Sequence, residues 1–271
     1  MYTDFEYAGR RLSDLGCIIC RINSDSGKYD VDIGCDITFT EIKNNYSSIH
    51  SVTSSSYENV YTATFDIMKY NCNSDDIYMT SFEVRDIMRW LNRREYYKFR
   101  VLNEIADESN VHYYGSFNVK QIMLGEHILG LTLTFTSNAP YGFGDIIETK
   151  CMLLNTGDTV SIYGDSDEFG TVYPKMKIRC LSSGNLELKN KTTGNTLKIN
   201  NCIVKETITI DGEHKVIFTD NDGHQKTLPN DFNYEYLDIL VDEYETENIY
   251  SSTLPCELTI SYQPMRKIGV M

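Results

Sequence analysis

The sequence predicts a mainly β protein: an N-terminal β domain that holds one α-helix, followed by a C-terminal antiparallel β-sandwich. Three observations carry this. Along most of the chain apolar residues alternate with period two, the mark of strands with one buried face. One segment, at about 80–93, switches to the helical period. From Pro174 onward short strands recur at even spacing between turn signals, as in sandwiches. Twenty tyrosines and eleven phenylalanines in 271 residues add β-favouring side chains. That length accommodates two ordinary domains, which we place at 1–148 and 149–271.

The elements follow in order. Residues 5–16 read as a turn-rich lead-in, and the apolar run Cys17 to Ile22 as a buried strand. Ser, Asn, Gly and Asp cluster through 23–58 around short apolar pieces such as Ile37-Thr38-Phe39, and Tyr46 to Tyr57 is Ser-rich, an exposed loop or hairpin. Val60 to Tyr70 alternates cleanly as a strand. Thr80-Ser81-Phe82-Glu83 is a capping box, and Val84, Ile87, Met88 and Leu91 make the apolar stripe of the helix behind it. Arg93-Arg94 at its end suits the negative pole of the helix dipole. Strands follow at Tyr97–Val101, Tyr113–Val119 and Leu129–Thr136. In the last of these Leu129, Leu131, Leu133 and Phe135 share a face. Ser137 to Gly144, with Pro140 and two glycines, breaks the run.

Residues 149–173 read as a connection with one strand, Asp158 to Tyr163. Beyond it strands are expected at Lys175–Cys180, Asn185–Asn190, Thr196–Asn200, Thr207–Ile210, Lys215–Phe218, Leu237–Val241 and Glu257–Tyr262. Ser182 to Asn185, Thr193-Gly194-Asn195, Asp211-Gly212 and Asn221-Asp222-Gly223 are turn signals between them.

Composition excludes several functions. A net charge of −14 opposes attraction to nucleic acid or to an anionic membrane, since both need Lys/Arg clusters; its plain reading is solubility. No stretch approaches the length of apolar chain that spans a bilayer. The N-terminus has neither a basic nor an apolar signal region, so a cytosolic site of synthesis is expected. Eight cysteines then read as reduced thiols within strands. Cys17-Ile18-Ile19-Cys20 has no second ligand pair for zinc. In a strand its two thiols would also point to opposite faces.

No catalytic constellation appears. His50, His112, His127, His214 and His224 are scattered, and there is no nucleophile elbow, P-loop or Gly-x-Gly-x-x-Gly sequence. Asp220-Asn221-Asp222-Gly223 opens like a calcium loop but lacks the downstream acidic ligand, so a hairpin turn is the better reading. Among 39 carboxylates a glycosidase-type pair is conceivable, though no spacing marks one. The aromatic surplus suits a sugar groove or, more commonly, sandwich cores and subunit interfaces. We assign no catalytic, cofactor or metal residues.

Taken together, several segments resemble the distal tail protein family of long-tailed bacteriophages, the tail or baseplate hub component. The resemblance lies in Phe5-Glu6-Tyr7-Ala8-Gly9 with Leu12-Ser13-Asp14, in the helix with Ile87-Met88-Arg89-Trp90-Leu91, and in Tyr113-Tyr114-Gly115-Ser116. It continues in Leu131 to Tyr141, Gly170 to Ile178, Lys191-Thr192-Thr193-Gly194 and Thr209-Ile210-Asp211-Gly212. It implies an N-terminal domain that closes into a hexameric ring and a galectin-like C-terminal sandwich outside the ring. It implies a virion tail-tip location after assembly in the host cytoplasm. The implied partners are other copies, the tail tube, a tail-associated protein and receptor-binding or adhesion proteins. It implies no enzymatic activity and no cofactor. The polar 40–60 region is expected to reach a neighbouring subunit, and the acidic balance would suit a ring that passes a genome. The alternatives are a stand-alone carbohydrate-binding sandwich and a glycoside-active enzyme.

Overall fold

The computed structural model describes residues 4–20, 34–43, 50–70, 77–102, 111–242 and 246–267. It divides into two units: Met1–Gly144, joined by the chain from Arg266 onward, and Asp145–Met265.

The first unit contains β1 (Asp4–Tyr7), β2 (Arg10–Arg11), one 3-10 turn (Ser13–Leu15) and β3 (Cys17–Cys20). Next come β4 (Ile37–Lys43), β5 (His50–Tyr57), β6 (Thr62–Lys69) and α1 (Ser81–Leu91). β7 (Tyr97–Leu102), β8 (Tyr113–Leu124), β9 (His127–Ser137) and β10 (Gly142–Phe143) follow. Seven strands form one antiparallel sheet in the order β2-β1-β7-β8-β9-β6-β3. Among the described residues β4 and β5 pair only with each other.

Alternation dictates which face of the large sheet is covered. Leu131, Leu133 and Phe135 of β9 are buried while the threonines between them are half-exposed. The buried face is aromatic: Phe5, Phe65, Phe99, Phe117 and Phe135 meet at ring-centroid distances of 4.5–6.3 Å. Edge and offset contacts of this kind add to simple burial. α1 closes that face. Thr80 accepts a hydrogen bond from the Glu83 amide, and Glu83 accepts one from the Thr80 amide at 2.7 Å, so the capping box is complete. Val84, Ile87, Trp90 and Leu91 point inward. Trp90 stacks on Phe5 and donates its indole N–H to the Tyr7 carbonyl at 2.8 Å, which satisfies its one polar atom.

The second unit contains β11 (Ile147–Leu153), β12 (Thr159–Gly164), β13 (Gly170–Val172), β14 (Lys175–Cys180), β15 (Gly184–Asn190) and β16 (Thr196–Cys202). β17 (Thr207–Asp211), β18 (Val216–Thr219), α2 (Asp222–Asp231) and β19 (Ile239–Val241) come next. β20 (Thr246–Ser252) and β21 (Cys256–Tyr262) complete the unit, and β22 (Met265–Arg266) lies across its boundary. A five-stranded sheet, β11-β21-β14-β17-β18, and a four-stranded sheet, β12-β20-β15-β16, share one core. Ile178, Leu188, Leu197, Ile199, Ile208 and Tyr250 are fully enclosed in it. Two buried amides tie β19 to the sandwich. Asn190 donates to the Asp238 carbonyl and to Asn248, and Asn248 exchanges hydrogen bonds with the Leu240 backbone.

Several expectations change. The lead-in of residues 5–16 contains β1, a member of the main sheet, which turns into β2 through Ala8 and Gly9, both at positive φ (51° and 76°). Two-residue hairpin turns need that conformation. The stretch 149–173 holds β11 and β13 besides β12, and β20 was not anticipated at all. The Asn221-Asp222-Gly223 signal is not a hairpin turn. Asn221 caps α2, accepting from the Gly223 and His224 amides, so the chain has a second helix. Asn and Asp serve turns and helix caps alike, because both use a short side chain to bond nearby amides. The division between units falls after Gly144, and position 148 lies within β11. Arg21-Ile22 of the first apolar run, Cys72 and residues 44–49 of the Ser-rich stretch lie outside the described residues.

Candidate assembly surfaces

Among the described residues no group of three or more His, Cys, Asp or Glu side chains could hold a metal ion. Cys17 is buried and Cys20 half-buried at the two ends of β3, and burial pushes both thiols up to about 11. A thiol held protonated in this way is a poor nucleophile and a poor ligand. Cys180, Cys202 and Cys256 are packed into the second core.

One ionisable cluster is enclosed. Glu206 and His224 are both 3% exposed, and His224 Nδ1 lies 2.6 Å from Glu206 Oε1. Thr219 donates to the same carboxylate oxygen at 2.5 Å, and the Ile203 amide donates to the other at 2.8 Å. Asp231 Oδ2 lies 3.7 Å from His224 Nε2. This arrangement pins α2 against the β16–β17 turn and β18. Both side chains are enclosed, and the cluster acts as a buried tie.

Two exposed features lie in the first unit. The first is the β4–β5 hairpin. The register Ile37↔Tyr57, Phe39↔Ser55 and Glu41↔Val52, with a bulge between Thr40 and Glu41, puts Ile37, Phe39, Glu41, Val52 and Tyr57 on one face. The opposite face pairs Thr38 with Ser56, Thr40 with Ser54 and Ile42 with Ser51. Ile37, Phe39 and Val52 are each about half exposed (47%, 55% and 55%). An isolated two-stranded ribbon is at best marginally stable in water, so this apolar face is made to be covered. At the hairpin's base Tyr57 meets Tyr141 edge-on at 6.2 Å, and Tyr61 stacks on Tyr113 at 5.0 Å. A small cavity of about 110 Å³ opens among these tyrosines, Cys35 and Pro140. The second feature is the outer side of α1, where Phe82 is 80% exposed beside Arg85 and Arg89.

The outer face of the five-stranded sheet in the second unit mixes charge with exposed apolar side chains, Met152, Val216 and Phe218 among them. Arg179–Glu257, Lys175–Asp211 and Lys150–Glu148 pair across or along it at 2.8–3.2 Å. Exposed pairs of this kind contribute little to stability. No described helix is long and apolar enough to cross a membrane. Sequence reasoning pointed to the 40–60 region, but did not find α1's outer side, where the signal was an exposed Phe at the second residue of an amphipathic helix.

A family described as phage tail protein N-terminal domain matches residues 1–139, and one described as phage tail C-terminal domain matches residues 141–262. No curated protein matches the chain. The crystal structure of phage SPP1 Dit, described as a paradigm of the hub adsorption apparatus in phages infecting Gram-positive hosts, superposes with a TM-score of 0.64 at 14% identity. That superposition covers 97% of this chain and 99% of Dit, and shows a shared fold. A chain of the phage P2 baseplate in its activated conformation with Ca superposes with a TM-score of 0.44 at 11% identity, covering 96% and 98%.

Proposed function

The chain belongs to the phage tail protein family whose N- and C-terminal domains span residues 1–139 and 141–262, and from that membership we propose that it is a structural hub of the tail tip. Its first unit closes into a hexameric ring at the distal end of the tail tube. Its second unit, in the galectin-like role, presents a rigid outer sandwich to the tail-associated and receptor-binding or adhesion proteins. The work is architectural, without catalysis, and is done in the virion after assembly in the host cytoplasm.

The observation that carries this reading is the β4–β5 hairpin. A ring is built from one heterologous contact repeated until the rotation closes. An exposed ribbon with Ile37, Phe39 and Val52 on one face and Ile42 on the other is suited to lie on a neighbour and bury them. The Dit fold, found in a protein described as part of a hub adsorption apparatus, supports the same placement. The excess of carboxylates suits a lumen that repels the phosphates of a passing genome; a pore lined mainly by Lys and Arg in the assembled ring would contradict that role.

Gold-labelled antibody against the chain should mark the tip of isolated tails in electron micrographs. Label along the tube, or none on tails, would refute the assignment. Deletion of residues 44–57 should abolish ring assembly, and rings that still form with the same number of subunits would remove the hairpin from the interface.

A further inference from the structure

We infer that the outer stripe of α1 is the socket for the β4–β5 hairpin of a second copy of this chain. The inference rests on the ring reading and names the surface that receives the hairpin.

The stripe follows from helical geometry. Val84, Ile87, Trp90 and Leu91 face the core, which leaves Phe82, Arg85 and Arg89, at i, i+3 and i+7, in line on the opposite side. Phe82 is the most exposed large apolar side chain among the described residues. Among the described residues Arg85 and Arg89 make no ion pair and no side-chain hydrogen bond, although the chain carries 39 carboxylates against 25 Lys and Arg. Asp86 flanks the stripe without pairing to either arginine. The helix dipole accounts for Arg89 in the last turn. It accounts neither for Arg85 in the middle of the helix nor for an aromatic ring held in water at its start. Aromatic and arginine side chains side by side are the residue types that anchor protein interfaces.

The hairpin offers the complement. Its exposed face supplies Ile37, Phe39 and Val52 for the ring of Phe82, with Glu41 on that same face. Asp36 and Glu58 sit at its base, joined by an amide-to-carbonyl bond of 2.9 Å. Its described residues therefore carry three carboxylates and one lysine, Lys43.

The two patches lie at opposite ends of one strand. The hairpin joins β6 at its start, where Tyr61 pairs through its backbone with Ala139. The helix begins past the end of β6, where Lys69 bonds Glu83 at 3.0 Å and the Tyr78 carbonyl at 3.2 Å, and Met79 pairs with Ile128. Eight residues of strand separate them, about 25 Å. Complementary patches at the two ends of one unit are satisfied head to tail, the arrangement from which rings close.

The test is the full chain carrying R85E/R89E, or F82S, compared with wild type by light scattering over a concentration series at low and high salt. All three side chains are exposed, so matching circular-dichroism melts should confirm that the variants fold. The expected result is an oligomer whose dissociation constant rises about tenfold or more in each variant and also rises with salt in wild type. A photo-crosslinking amino acid at position 82 should attach to the 36–58 peptide of another copy in a mixture of isotope-labelled and unlabelled chains. An oligomer lost with F39S but unaffected by R85E/R89E and F82S would overturn this inference and leave the ring intact. So would a crosslink from position 82 to a different tail protein. A wild-type chain that stays monomeric and forms no intercopy crosslink at any concentration, or within tails, would overturn both readings.

Discussion

Glu206 is the side chain on which the second unit most visibly depends. It is 3% exposed and holds three donors at once: the His224 ring, the Thr219 hydroxyl and the Ile203 amide. Removing it leaves all three unpaired inside the fold, and breaking a buried pair from one side costs about 3–5 kcal/mol. Glu206→Ala should therefore lower the free energy of unfolding of the second unit in urea by that margin; a loss below about 1 kcal/mol would show that water replaces the carboxylate. Gly115 has a similar weight in the first unit. A Cβ there would run into the Thr136 carbonyl oxygen and the Phe135 ring across β8 and β9. Neither neighbour is free to yield, because Phe135 sits in the aromatic core and Thr136 is held in register by Thr62 and Ser116. Gly115→Ala should destabilise the first unit by about 1–3 kcal/mol, measured by chemical denaturation. Gly115 was visible in the sequence only as part of a resemblance. What demands glycine at that position is contact with a strand some twenty residues further along the chain.

At the scale of elements, α1 was legible almost to the residue. Thr80 and Glu83 announce its start, and the apolar stripe gives its inner face. Burial raises the Glu83 carboxyl, but hydrogen bonds from Thr80 and the Lys69 ammonium outweigh it, and the net direction is down. A carboxyl lowered on folding stabilises fully above its unfolded value, about 4.3, and that contribution is lost as pH falls through the folded value. Wild type should thus lose thermal stability more steeply below about pH 4.3 than Glu83→Gln; identical acid limbs would contradict the sign. Thr80→Ala should cost about 1 kcal/mol through the lost cap, read from the melting temperature. α2 was not legible, for a physical reason. It buries only His224 and Leu228, contains Pro229 and begins at an Asp-Gly pair that also suits a turn. Its weak helical period leaves the decision to Glu206, eighteen residues away. β20 and β11 escaped notice in the same way. β20 alternates polar with buried residues, two of which, Asn248 and Ser252, are themselves polar, so its strand character lies in its partners and not in its hydropathy.

At the scale of the whole molecule, two separate cores imply two separable transitions. Glu206→Ala should shift one calorimetric transition and leave the other in place, and a single transition moving as a whole would show that the units melt together. Ring assembly belongs to this scale too, since Phe39 and Phe82 matter only when a second copy is present. Period-two alternation, the count of aromatics and one capping box determined by themselves that the chain is mainly β and that it carries α1. These are local properties, set by how a residue and its near neighbours trade water for a buried face. Only the tertiary structure decided that, among the described residues, β4 and β5 stand apart from the main sheet and Arg85 and Arg89 find no partner, and that Asn221 caps a helix instead of turning a hairpin. Each of those depends on which distant residue arrives, or fails to arrive, within a few ångströms, and spacing along the chain carries no record of that.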